Sequence, residues 1–107
     1  MDLKSNVNKI HSDLLNNFED VKITEKSSKE IQEYIEFSVI REGKEVIIVA
    51  TKKELSNNNF SWSYYSNPQK KDFLVERSSS VDSLLNDVED IFNRNRFDSE
   101  YLENINK

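Results

Sequence analysis

His11 is the only imidazole in this chain, and none of its 107 residues is a cysteine. One histidine cannot build a His-based metal cluster, and a serine nucleophile would have no base but His11. Without cysteine there is no disulfide, thiolate ligand or thiol nucleophile. The single glycine, Gly43, rules out the Gly-rich loops that cradle phosphates. Carboxylates are the remaining catalytic option. Asp87 and Asp90 stand one turn apart on a predicted helix, with Asp82 and Glu89 nearby. A divalent cation held there would want several more oxygens, and the sequence supplies none at a fitting spacing. Glu33 and Glu36 fall on opposite faces of a predicted strand and cannot share a substrate. The expectation is a non-enzymatic chain with no metal and no cofactor.

The middle of the sequence offers a different chemistry. Trp62, Tyr64 and Tyr65 lie between Lys52-Lys53 and Lys70-Lys71. Aromatic rings on a sheet beside lysines stack bases and hold phosphates in several single-strand binders. The competing expectation makes Phe60, Trp62 and Tyr64 a core face under the helices, with the lysines as loop solubilisers. Tyr65 then points the other way as an exposed contact. Tyr34 and Ile40 share its face if the strand register allows, which would form a small apolar patch.

These residues need elements to position them. Leu3, Val7, Ile10 and Leu14 recur at helical spacing and predict an N-terminal helix, with His11 at the edge of its apolar stripe. Val21 and Ile23 alternate with Lys22 and Thr24 as a short strand, and residues 26–29 form a polar break. Residues 31–41 alternate best: Ile31, Glu33, Ile35, Phe37 and Val39 share one face, and Gln32, Tyr34, Glu36, Ser38 and Ile40 share the other. Arg41-Glu42-Gly43-Lys44 is a tight turn, because glycine takes positive φ without steric cost. Residues 45–51 are apolar on both faces, as a central strand requires.

Residues 52–59 form a loop with at most a helical turn. Residues 60–65 make an aromatic strand, residues 66–71 a turn around Pro68, and residues 72–77 a last strand. Ser78, Ser79 and Ser80 offer helix caps, and Ser79 with Asp82 has the form of a capping box. Val81, Leu84, Leu85, Val88, Ile91 and Phe92 trace an amphipathic helix. A short closing helix from Asp98 would bring Tyr101, Leu102 and Ile105 to one side.

The fold class that follows is α+β in a single domain over residues 1–107. An N-terminal helix leads into an antiparallel meander of three to five strands, then a C-terminal helix with a short extra one. The helices pack on one face of the sheet. The order is similar to that of double-stranded-RNA-binding domains, which carry lysines at the start of their last helix. That position here reads Ser78 to Ser83 with no lysine, and the extra aromatic strand also departs from the pattern, so the resemblance implies no function.

Net charge is −5. It is −3 over residues 1–40, +2 over 41–77 and −4 over 78–107. No basic-then-apolar leader opens the sequence, and the longest apolar run, residues 46–50, is far too short to span a bilayer. The expected compartment is the cytoplasm. The expected function is a small protein-interaction module of the inhibitor, immunity, adaptor or chaperone-like kind. Its partner is another protein or a second copy of the chain. Asp82, Asp87, Glu89 and Asp90, or Tyr34 and Tyr65, would make the contact, and the acids could imitate nucleic acid. The alternative is a single-stranded nucleic-acid binder using segment 52–71, with Lys52, Lys53, Trp62, Tyr65, Lys70 and Lys71. Overall negative charge weighs against it. The Asn-, Lys-, Ser- and Ile-rich composition is compatible with an AT-rich genome such as a phage or mobile element.

Overall fold

The fold is that of a computed structural model, which describes residues 3–30, 32–65 and 75–93. Helix α1 (Leu3–Leu15) precedes strands β1 (Asp20–Ser28), β2 (Gln32–Arg41) and β3 (Lys44–Thr51). The short helix α2 (Lys52–Leu55), strands β4 (Asn59–Tyr65) and β5 (Val75–Ser80), and helix α3 (Leu84–Asn93) follow. The sheet order is β1-β2-β3-β4-β5, every neighbouring pair antiparallel. Residues 72–74 of the predicted last strand and the closing helix from Asp98 lie outside the described residues. No described helix is long and apolar enough to cross a membrane.

Local chemistry explains most of these boundaries. Arg41 pairs with Lys44 across a two-residue loop in which Glu42 has φ 52° and Gly43 φ 77°. Positive φ at both central residues is the type I′ turn, whose twist matches the flanking strands. Thr51 caps α2, its Oγ1 accepting from the Glu54 N–H at 3.1 Å. β1 continues through the predicted polar break to Ser28, because pairing with β2 satisfies its backbone whatever its side chains.

The serines after residue 77 behave differently from expectation. Ser78, Ser79 and Ser80 belong to β5, where they pair with Ser61, Phe60 and Asn59. The helix cap sits one residue later than the predicted Ser79–Asp82 pair. Ser80 Oγ accepts from the Ser83 N–H at 3.1 Å, and Ser83 Oγ accepts from the Ser80 N–H at 2.9 Å. This reciprocal pair is a capping box built from two serines.

The core lies between one face of the sheet and the helices. Ile35, Phe37, Val39, Val46, Ile48, Ala50, Phe60, Trp62 and Tyr64 supply the sheet side, meeting Ile10 and Leu14 of α1 and Leu84, Val88, Ile91 and Phe92 of α3. Leu55 of α2 joins the same cluster. The three described helices therefore cover one face.

Candidate interaction surface

Aromatic strand β4 presents its alternate residues to the core. Trp62 is 2% exposed, and its indole N–H donates to Ser79 Oγ at 2.8 Å. Its ring is thus not available for stacking bases, which corrects that expectation. Tyr65 does point to the opposite face, but it too is buried, at 5% exposure. It sits beside Ile47 across the β3–β4 ladder. Burial, and then the nearby Glu36, Tyr34 and Glu45, push its phenol pKa up to about 12. Tyr65 is a neutral, packed residue rather than the exposed contact expected.

The lysines are also dispersed. Lys52 Nζ lies 3.6 Å from both Glu25 and Glu33, so its charge is balanced across the β1–β2 ribbon. Lys53 is exposed. Lys70 and Lys71 lie outside the described residues. Residues 52–65 do not, on their own, form a basic and aromatic surface.

The acidic helix is where the structure departs most from the sequence expectation. Glu89 takes a two-pronged hydrogen bond from Arg41, at 2.9 Å from Nη1 and 2.6 Å from Nη2. Asp90 stands 3.6 Å from Arg77 of β5. Asp87 accepts from the hydroxyl of Ser79, the same hydroxyl that takes the Trp62 N–H. Asp82 alone of the four is well exposed, and even it lies 3.5 Å from Lys9. Three acids proposed for imitation of nucleic acid are thus turned inward, tying α3 to the sheet. Amphipathic spacing places Asp87 and Asp90 on the polar side of α3, but the sheet's own polar residues meet them there.

The residues that hold this arrangement carried little sequence signal. Arg41 caps the turn end of β2, lies 4.1 Å over the Phe18 ring, and donates to the Asn17 carbonyl at 2.8 Å. The carboxylate of Glu89 raises its pKa above the usual arginine value, against desolvation. Asn6, buried on α1, donates to the Leu55 carbonyl at 2.8 Å and so anchors α2. His11 is half-buried, with Nε2 3.4 Å from the Val21 carbonyl.

β3 and β4 pair over three residues only, Ile47–Tyr65 to Val49–Ser63. Beyond them the strands part around α2. The next hydrogen-bonded pair would be Thr51 with Ser61, but the Ser61 N–H donates to Glu54 Oε2 at 3.2 Å instead. A cavity of about 650 Å³ opens there, lined by Thr51, Glu54, Ser61, Trp62, Glu76 and Arg77 among others. Among the described residues, no group of three or more His, Cys, Asp or Glu is placed to hold a metal ion.

The face of the sheet away from the helices is the remaining surface. Tyr34 and Ile40 of β2, Ile47 and Val49 of β3 and Tyr65 of β4 share it. Tyr34, Ile40 and Val49 are half-buried. Glu36 and Glu45 interrupt them, with Ser38 donating to Glu45. No protein-family model matches this chain, and no curated protein or solved structure matches it either.

Proposed function

We propose that this chain is a non-enzymatic protein-interaction module whose contact surface is the sheet face opposite the three described helices. The observation that carries this reading is the one-sided covering of the sheet by α1, α2 and α3. A solvated face of an antiparallel sheet ordinarily alternates to polar residues. Here the half-buried Tyr34, Ile40 and Val49 leave apolar surface around the buried Ile47 and Tyr65, with Glu36 and Glu45 among them. Glu36 is paired with Lys26 of β1 at 3.4 Å, so the face offers an apolar centre beside Glu45. That suits a partner that brings apolar side chains with a basic group. The kinds of module this fits are inhibitor, immunity, adaptor and chaperone-like proteins.

The test is capture of partners by tagged chain from its native lysate, after nuclease treatment, with wild type beside Tyr34→Arg and Val49→Arg. A stoichiometric protein lost with both variants and kept by Asp82→Lys supports the reading. A protein kept by both arginine variants would sink the proposed face. Fluorescent single-stranded DNA and RNA titrated at low salt test the nucleic-acid alternative. Binding weakened by Lys53→Ala would favour that alternative instead.

A further inference from the structure

β1 is an edge strand of nine residues with unbroken pairing to β2 and no proline. The turn fixes which of its backbone groups look outward. Arg41 and Lys44 are the hydrogen-bonded pair that closes a type I′ loop, so odd-numbered residues of β2 bond to β3 and even-numbered ones bond to β1. Asp20, Lys22, Thr24 and Lys26 therefore bond to β2. Val21, Ile23, Glu25 and Ser27 present their N–H and C=O groups to an edge that no described strand pairs with. His11 supports this assignment, because its Nε2 lies 3.4 Å from the outward carbonyl of Val21.

Two exposed apolar side chains mark the same edge. Ile23 is 37% exposed, and Leu15 46%. Leu15 follows His11 by one helical turn on α1, and Ile23 follows Val21 on the same strand face. A long open edge with exposed apolar residues is a template for another strand.

We propose that a second copy of this chain occupies the edge, with the two β1 strands pairing antiparallel about a two-fold axis at Ile23. The outward groups are all on odd residues, so they meet only when the axis passes through a residue. An axis at Lys22 sets lysine against lysine. One at Thr24 sets Lys22 against Lys26 twice, one at Glu25 sets glutamate against glutamate, and one at Lys26 sets lysine against lysine. Axes at Val21 or Ser27 would pair only three residues of the strand. An axis at Ile23 has no like-charge pair. It places Ile23 opposite Ile23 of the second copy, and Asp20 opposite Lys26 of the second copy, twice by symmetry. The Asp20 side chain is 49% exposed with only a 4.0 Å contact to Lys22. Lys26 is 38% exposed and 3.4 Å from Glu36, so the pairing adds Asp20 to a lysine that keeps Glu36 beside it. The Glu25 N–H of the second copy then takes the Val21 carbonyl from His11, whose 3.4 Å contact is long for a hydrogen bond. The product is a continuous ten-stranded sheet. It uses the edge rather than the face assigned to a partner, so either interaction can fail without the other.

Sedimentation or light scattering across a concentration series reads the association. Asp20→Lys alone should weaken the dimer at least about tenfold, because two opposite-charge pairs become two lysine–lysine pairs. Adding Lys26→Asp should restore it, with Glu36→Gln alongside so that the new carboxylate does not face the old partner of Lys26. Ile23→Pro removes an outward N–H on the side of β1 away from β2, so it should abolish dimers while thermal unfolding of the monomer stays cooperative. Ile23→Cys gives a direct check, because the chain has no other cysteine. Hydrogen-bonded antiparallel pairs hold Cα atoms about 5.5 Å apart, within disulfide reach. Mild oxidation should link that variant and leave Ser56→Cys unlinked. A wild-type chain that stays monomeric throughout, or a double charge swap that fails to restore association, overturns the proposal. So does equal cross-linking of the two cysteine variants.

Discussion

Arg41 and Glu89 meet through two parallel hydrogen bonds of 2.9 and 2.6 Å, although 48 residues separate them. The pair fastens the turn end of β2 to the middle of α3. Arg41 also covers the rings of Phe18 and Phe92, which themselves lie 5.1 Å apart. Planar, two-pronged geometry and partial burial make this pair stronger than an ordinary surface ion pair. Arg41→Ala should cost about 2 kcal/mol of folding free energy, and Arg41→Lys most of that, since lysine lacks the fork. A double-mutant cycle with Glu89→Gln, followed by urea unfolding, checks it. A coupling near zero would show that the pair contributes nothing to folding stability.

Trp62, Ser79 and Asp87 form a second tie between sheet and helix. The Ser79 hydroxyl accepts from the indole N–H at 2.8 Å and donates to the Asp87 carboxylate. Ser79→Ala leaves the buried indole N–H without its acceptor and should cost about 1–3 kcal/mol. Thr at the same position keeps the hydroxyl and suits a strand, so Ser79→Thr should cost less. Thermal melts of the two variants, with Trp62 fluorescence as the probe, separate a lost hydrogen bond from a change in size.

Gly43 is needed for its backbone rather than its space. A Cβ placed there meets nothing within 4 Å, but φ is +77°. Gly43→Ala should therefore destabilise by about 1 kcal/mol through strain alone. Gly43→Asn should cost less, because asparagine tolerates this region. Equal losses in denaturant midpoint for the two variants would show that φ is not the cause.

Tyr65 gives a pH dependence with a definite sign. Its folded pKa is pushed from 10.0 to about 12, mainly by burial. Between those values the unfolded phenol has lost its proton while the folded one retains it. Stability linked to this group is therefore intact below pH 10 and falls as pH rises towards 12. Unfolding midpoints across that window should drop less in Tyr65→Phe than in wild type. Parallel curves would assign the alkaline loss to other groups.

Strand and helix identities were readable because they rest on local periodicity. Ile35, Phe37 and Val39 alternate and are buried together, and Val81 to Phe92 show the helical stripe that packs. The β2–β3 turn was readable from one glycine. The Ser78–Ser80 run was not, because serine serves both as a cap and as a strand residue. Pairing with Asn59, Phe60 and Ser61 decided for the strand and moved the cap to Ser80. The candidate site was less legible. Acids on α3 were visible as charge, yet Arg41 and Arg77 carried no mark of being their partners.

The sequence by itself determined the α+β order, the direction each strand residue faces relative to its neighbours, and the Gly43 turn. These depend on φ preferences and on periods of two and 3.6 residues, which act over a few positions. Only the tertiary structure decided which charges are matched and which rings are covered. Asp87, Glu89 and Asp90 lost their role as free surface charge because residues from β2 and β5 come within hydrogen-bonding or ion-pair reach of them. Tyr65 lost its exposure beside Ile47. Such pairings depend on separation in space, and chain periodicity does not encode that separation.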